Sequence, residues 1–184
     1  EYRYGSMLDK GEQAQLGTAG KIYPITRHAL VNDELAAITM MFSGAGQKAR
    51  KLEGDLVYGL LVANPVMQED GLQLFGAAPP VGHGNVATVI GPPSAATLDE
   101  MDAILGARVD QNGQPLNIPL RYAIMPRGIF GAAESFFQTI QYVNATGDLL
   151  NNIWGGNRIE RVYEPRLNLN PNTWYAAGPK GMTI

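Results

Sequence analysis

The sequence predicts an α+β fold, and three observations predict it. Between residues 26 and 64 the apolar or small side chains recur in steps of three and four, the period of a long amphipathic helix. Further along, short runs with strand-like patterning appear among helical ones, without a regular strand–helix alternation. Segments rich in Gly and Pro separate the two kinds, as in "AAPPVGHGN" and "GPPSAA".

Residues 1–26 hold two β-like runs, Tyr2–Met7 and Lys21–Ile25, around the polar centre Asp9-Lys10-Gly11-Glu12-Gln13. That arrangement predicts a long hairpin, with Pro24 confining its strand to an edge. A two-stranded ribbon is barely stable alone in water, so it is expected to lie on something else. The long helix follows, with Val31, Leu35, Ile38, Phe42, Ala45, Ala49, Leu52, Leu56 and Leu60 on one face. Asn32 offers an N-cap, Asp33 and Glu34 put acids in the first turn, and Asn64-Pro65 offers a stop. Gly44, Gly46, Gly54 and Gly59 weaken it by up to ~1 kcal/mol each, so packing must hold it. A long, glycine-weakened rod reads as scaffold.

Residues 65–93 read as an ordered loop or linker between two lobes. Thr97-Leu98-Asp99-Glu100 reads as a capping box, opening a helix that places Leu98, Met101, Ile104 or Leu105, and Val109 on one face. Gln111-Asn112-Gly113 makes a turn, and Leu116–Met125 a strand ended by Pro126. A helix over about 127–142 would bury Ile129, Phe130, Ala133, Phe136 or Phe137, and Ile140. The stretch 144–157 reads as a polar loop with an apolar island, Leu149-Leu150 and Ile153-Trp154. A half-buried strand over 158–167 and a short one at Trp174–Ala177 complete the reading.

At 184 residues the chain suits one domain or two small lobes. Charged residues are 17 %, below the usual quarter, which suggests a surface largely covered by neighbours. Net charge is −3 with no Lys/Arg run, so no nucleic-acid footprint is expected. The absence of cysteine excludes disulfides, thiolate catalysis and Cys-based metal sites. No apolar run approaches a membrane span, and no signal-peptide pattern is seen. Because Glu1 is not an initiator and Met182-Thr183-Ile184 closes no element, the chain reads as a fragment of a longer polypeptide.

Chemistry is hard to find in this sequence. His83 stands between glycines with no second His nearby, a poor metal site, and His28 is the only other histidine. There is no Gly-x-Ser-x-Gly elbow, and Ser135 falls mid-helix. His83 therefore reads as a loop residue whose ring closes a turn or packs at a contact. Glu53 and Asp55 diverge on the helix, and neither GxGxxG nor GxxxxGK[ST] occurs. Arg121 and Arg127 are isolated, and the two Trp and eight Tyr are too scattered for base stacking. Met40-Met41 and Phe42 read as core or as adaptable subunit contacts.

The run Ile25-Thr26-Arg27 to Val31-Asn32-Asp33-Glu34-Leu35, then Asn64, Asp70-Gly71, Leu74-Phe75 and His83-Gly84-Asn85, resembles the major capsid proteins of tailed bacteriophages. It is most similar to the Mu-like head subunits and to versions fused to a prohead protease, over about residues 1 to 178. The resemblance implies the phage major capsid fold: an extended β-hairpin loop (1–26), a spine-helix or peripheral lobe with its connecting loop (27–93), and an axial lobe (94–184) truncated at the C-terminus. The hairpin would reach across a neighbouring subunit, and such chains continue past Ile184 with strands that complete the spine lobe. It implies a structural subunit, not an enzyme, that self-assembles as pentamers and hexamers into an icosahedral shell enclosing DNA. That subunit would reside in the virion and assemble in the bacterial cytoplasm. A prohead protease or scaffold is an allowed further partner; sequence-specific nucleic acid, membrane, cofactor and metal are not expected. Candidate subunit contacts are Tyr2, Tyr4, Lys10 and Glu12 in the hairpin, with Asn151, Asn152 and Trp154 in the Asn144–Gly156 loop. The alternatives are a hydrolase domain of a phage head-maturation protein, which needs a serine–base pair in reach, and a stand-alone binding module with a polar-lined pocket.

Overall fold

The computed structural model describes residues 20–25, 27, 35–110, 112–144, 146–170 and 172–181. Helices and small sheets are mixed along the chain, as an α+β reading requires. The described residues fall into two compact units, one within Gly11–Ala63 and one over Asn64–Ile184. Residues 64–93 thus group with the part that follows them, one segment away from the lobe boundary read at 93/94.

The first unit contributes helix α1 (Leu35–Ala63, 29 residues), about 43 Å long at 1.5 Å per residue. The predicted cap at Asn32 lies outside the described residues. At the other end Asn64 turns the chain out of the helix at φ +46, in the left-handed region that Asn tolerates better than most residues. Among the described residues of α1 none is buried. The predicted strand Lys21–Ile25 is not observed: 20–25 forms no ladder, and Pro24 has no N–H to give one. A Cβ built on Gly44 meets nothing within 4 Å. Gly44→Ala is therefore expected to raise helix stability by up to ~1 kcal/mol, read as a higher melting midpoint by circular dichroism.

The second unit is built on β1 (Tyr122–Pro126), the middle strand of three. It pairs in parallel with β4 (Glu160–Glu164), Tyr122 facing Glu160 and Pro126 facing Glu164. On its other side it pairs antiparallel with β5 (Tyr175–Ala177), Tyr122 facing Ala177. Helix α2 (Ala95–Gly106), helix α3 (Phe130–Gln138) and the loops around them close over this sheet. The core is Leu98, Leu120, Ala123, Met125, Ala133, Phe137, Trp154, Ile159 and Trp174. Ala123 and Met125 alternate with half-buried Tyr122 and Ile124, the two-residue period of a strand with one better-covered face.

Several predicted elements are corrected here. Helix α2 is capped three residues before the expected position: Ser94 is the N-cap and Thr97 the returning partner, with Thr97 N–H to Ser94 Oγ at 3.3 Å and Ser94 N–H to Thr97 Oγ1 at 2.8 Å. Glu100 instead accepts from the Thr88 and Val89 backbone and the Thr88 hydroxyl. Val109 lies beyond α2, bridged to Pro115 across the turn at Asp110–Gly113. The strand predicted from Leu116 is ladder-bonded only from Tyr122, and Pro126 is its last residue, leading into a 3-10 turn, Arg127–Ile129. The helix predicted to 142 stops at Gln138, because 141–143 pairs as β2 (Gln141–Val143) with β3 (Leu149–Asn151). Ile140 is accordingly exposed, and the loop read at 144–157 begins as a hairpin. The strand read over 158–167 ends at Glu164 and gives way to a 3-10 turn, Pro165–Leu169.

Candidate functional site

The later part of the sequence motif, Asn64 to Asn85, comes together in one clasp, although up to 21 positions separate its residues. Asn64 hydrogen-bonds both backbone groups of Phe75: its Nδ2 donates to Phe75 O at 2.9 Å, and Phe75 N–H donates to its Oδ1 at 2.7 Å. Asn85 holds the residues on either side of Phe75, donating to Leu74 O at 2.7 Å and accepting from Gly76 N–H at 3.0 Å. Two amides thus satisfy a loop backbone that no ladder serves. Gly76 and Gly82 cross in contact, a Cβ on Gly76 falling 2.8 Å from Gly82 Cα, so neither position accepts a side chain. Arg108 closes the clasp by donating to His83 O and Gly84 O, each at 2.9 Å.

The His83 ring sits between two acceptors, Gln73 O at 2.8 Å from Nδ1 and Asp70 Oδ2 at 2.9 Å from Nε2. Only the doubly protonated ring donates at both nitrogens at once. A catalytic histidine keeps one nitrogen for the nucleophile; here a backbone carbonyl holds that position. The ring closes a turn, one of the roles the sequence allowed. Asp70 is held below the ordinary aspartate value, first by the Leu72 N–H at 2.9 Å and then by the His83 ring. Its folded value lies below its unfolded one, so the tie is present above the ordinary 3.8 and is lost as pH falls through the lower folded value. Acid titration followed by NMR is expected to show the Asp70 carboxyl titrating below 3.8, with faster Leu72 amide exchange at the acid end. An ordinary Asp70 midpoint would contradict the clasp as drawn.

A second polar centre ties α3 to β4. Tyr163 Oη donates to Glu134 Oε1 at 2.6 Å, and Arg161 Nε lies 3.2 Å from the same oxygen. The Tyr163 bond is the main reason the Glu134 carboxyl is held low, and Gln138 and Arg161 add to it. Burial, then Glu134 itself, pushes the Tyr163 phenol up, so it remains a donor.

The candidate contacts fare differently. Tyr2, Tyr4, Lys10 and Glu12 lie outside the described residues. Asn151 is exposed at the end of β3, accepting from Gln141 Nε2 at 3.1 Å. Asn152 faces inward, its Nδ2 donating to Phe136 O at 2.8 Å and Thr139 O at 3.0 Å. Trp154 is only 3 % exposed; its ring belongs to the core and its Nε1–H donates to Asp99 Oδ1 at 2.7 Å. These two anchor the segment, and its outer surface comes from neighbours: Leu149 is 63 % and Ile153 59 % exposed, beside exposed Ile140, Val143 and Leu150. The apolar island in the sequence was the signal for that surface. Asn144 and Thr146 fix the hairpin tip, Thr146 Oγ1 donating to Asp148 Oδ2 at 2.6 Å, and Gly147 takes φ +90. Beneath lies an open hollow of about 380 Å³ lined by Phe137, Thr139, Asn152 and Arg161 among others. Among the described residues no group of three His, Cys, Asp or Glu could hold a metal, and no helix is long and apolar enough to cross a membrane.

A comparison with protein families matches residues 11–183 to a family described as phage capsid protein. No curated protein and no solved structure matches the chain.

Proposed function

This chain belongs to that phage capsid protein family, whose members are structural proteins of the virion, and we propose that it is a major head subunit of a phage or prophage, of the Mu-like type. Its work is assembly: copies join through the same patches into pentamers and hexamers, and these close an icosahedral shell around DNA. In this reading α1 is the spine helix, residues 1–26 the extended loop, and 94–184 the axial lobe, with the 140–153 hairpin segment meeting its neighbours about the capsomer axis. A prohead protease or scaffold acts on it during assembly in the bacterial cytoplasm. Its inner wall does not grip DNA by sequence, in keeping with the net charge of −3.

The observation that carries the proposal is uncovered apolar surface in a chain of this family. Phe42, Leu56 and Leu60 on α1, and Ile140, Leu149 and Ile153 on the hairpin segment, stand exposed. Large apolar side chains grouped on a surface mark an interaction site more readily than singly scattered ones. Sedimentation velocity over a range of protein concentration tests the proposal. Discrete species at five or six protomers, with larger closed forms above them, are expected; a monomer throughout the range would overturn it.

A further inference from the structure

The hairpin of β2 and β3 leaves both of its outer edges open. Asn144 N–H donates to Asp148 O at 3.0 Å, and Asn152 N–H donates to Ile140 O at 2.8 Å. Between these two bonded pairs the register runs without a bulge, Gln141 facing Asn151, Tyr142 facing Leu150 and Val143 facing Leu149. Bonded and non-bonded pairs alternate in an antiparallel ladder. Tyr142 and Leu150 are therefore the bonded pair in the middle. The backbone N–H and C=O groups of Gln141, Val143, Leu149 and Asn151 point away from the hairpin. No further strand joins this sheet among the described residues.

These edges carry none of the usual guards. Proteins blunt a free edge with Lys, Pro, a bulge or a covering element. From Thr139 to Ile153 there is no Lys, Arg or Pro, and the single charged residue, Asp148, is engaged by Asn144 and Thr146 at the tip. The four outward residues also share one face, because side chains alternate across a strand. Val143 and Leu149, each 63 % exposed, make an apolar pair on it, and Gln141 and Asn151 a polar pair joined at 3.1 Å. On the opposite face the Tyr142 ring lies edge-on to Phe136 and seats the hairpin against α3.

Whatever covers the edges has to match both of them. Since β2 and β3 run in opposite directions, β3 of one copy fits beside β2 of the next as an antiparallel pair. A contact between two different patches, repeated by the same rotation, closes into a ring. A two-fold contact would join β3 to β3 and leave the β2 edges open; joining those as well would give an open stack. Proteins of the phage capsid family meet copies of themselves, which makes a second copy the occupant. In the register that repeats the hairpin's own, Leu149 faces Val143 and Asn151 faces Gln141 of the next copy, with up to four hydrogen bonds. A two-residue slip in either direction keeps only one of these bonded pairs' worth of contact and sets a polar side chain against an apolar one.

We infer that the β2–β3 hairpins of successive copies join edge to edge, β3 of one to β2 of the next, in a continuous antiparallel collar about the capsomer axis. The inference rests on the assembly reading and deepens it by making this contact one of main-chain pairing. Each joint is small and holds by repetition around the ring.

The chain has no cysteine, so two placed thiols report the pairing. Val143→Cys and Leu149→Cys chains, carrying different tags, are co-expressed at full length and oxidised. Residues opposed in a bonded antiparallel pair have Cα atoms about 5.5 Å apart, within disulfide reach. The expected result is a disulfide dimer containing both tags, and none from either variant alone. A dimer from one variant alone would make the contact two-fold and overturn the inference, and so would the absence of disulfide from every sample. Val143→Pro tests the backbone itself, deleting an N–H that the hairpin does not use, at an edge position where proline is accepted. Five- and six-fold species should be lost from sedimentation velocity while the tryptophan fluorescence melt keeps its parental midpoint. Val143→Thr, which keeps both the N–H and the β-branched shape, should assemble as the parent does. Parental assembly by Val143→Pro, or equal loss in Val143→Thr, would overturn the strand pairing. If the proline variant fails to fold, the thiol pair still decides. Electron microscopy of the oxidised samples separates the two readings. Closed shells without the mixed disulfide overturn the collar alone, and the mixed disulfide without any shell sustains the pairing and counts against the capsid reading.

Discussion

Phe137→Ala is expected to cost the 64–184 unit a large share of its stability. The ring is about 1 % exposed, at the centre of the core between α3 and the sheet, in edge contact with Phe136 and under the Arg161 guanidinium. Truncation removes the burial of an aromatic ring and leaves a cavity, a loss of about 3–5 kcal/mol. A domain of this size has about 5–15 kcal/mol in all, so the substitution removes a large share of it. Trp154 and Trp174 are both buried in the same core, so their fluorescence reports its loss directly. Urea denaturation followed at the tryptophans should show a much lower midpoint. A loss under about 1 kcal/mol, the size typical of an ordinary point substitution, would mean that the core is organised around something else.

The second large effect is expected in assembly and not in folding. Leu149→Glu with Ile153→Glu changes two exposed side chains outside the core, so stability should stay within about 0.5 kcal/mol of the parent per site. In a ring of five or six copies the same substitutions put ten or more added charges around one axis (two per copy), where like charges repel. Closed particles should disappear while the melting midpoint holds. Particles in parental yield would remove the hairpin segment from the interface.

The sequence made some of this visible and hid the rest for physical reasons. Helix α1 was legible because its pattern is long and local, and its end was legible because Asn64-Pro65 is a stop written into two adjacent residues. The start of α2 was misplaced because two capping registers overlap, Ser94 with Thr97 and Thr97 with Glu100. Only the fold shows that Glu100 is already engaged by the 88–89 backbone. The end of α3 was overrun because Ile140 continues its helical period, while pairing of β2 with β3 decides the backbone. The clasp was legible only as a set of motif residues. Asn64 with Phe75, and His83 with Asp70, are bonds between loop positions 11 and 13 apart, which leave no periodic trace. The parallel pairing of β1 with β4 joins strands 38 residues apart and leaves none either. Trp154 stood in an apolar island and was read as a subunit contact; its burial and its bond to Asp99, 55 positions away, make it core.

The proposed building of a shell by copies of this chain is open to direct test. Negative-stain electron microscopy of the protein expressed in bacteria from its whole reading frame tests it most directly, alone and with the genes that neighbour it. Closed particles of uniform diameter, or rings with a five- or six-fold axis, are the predicted result. A clean monomer with no particles in either preparation would contradict it.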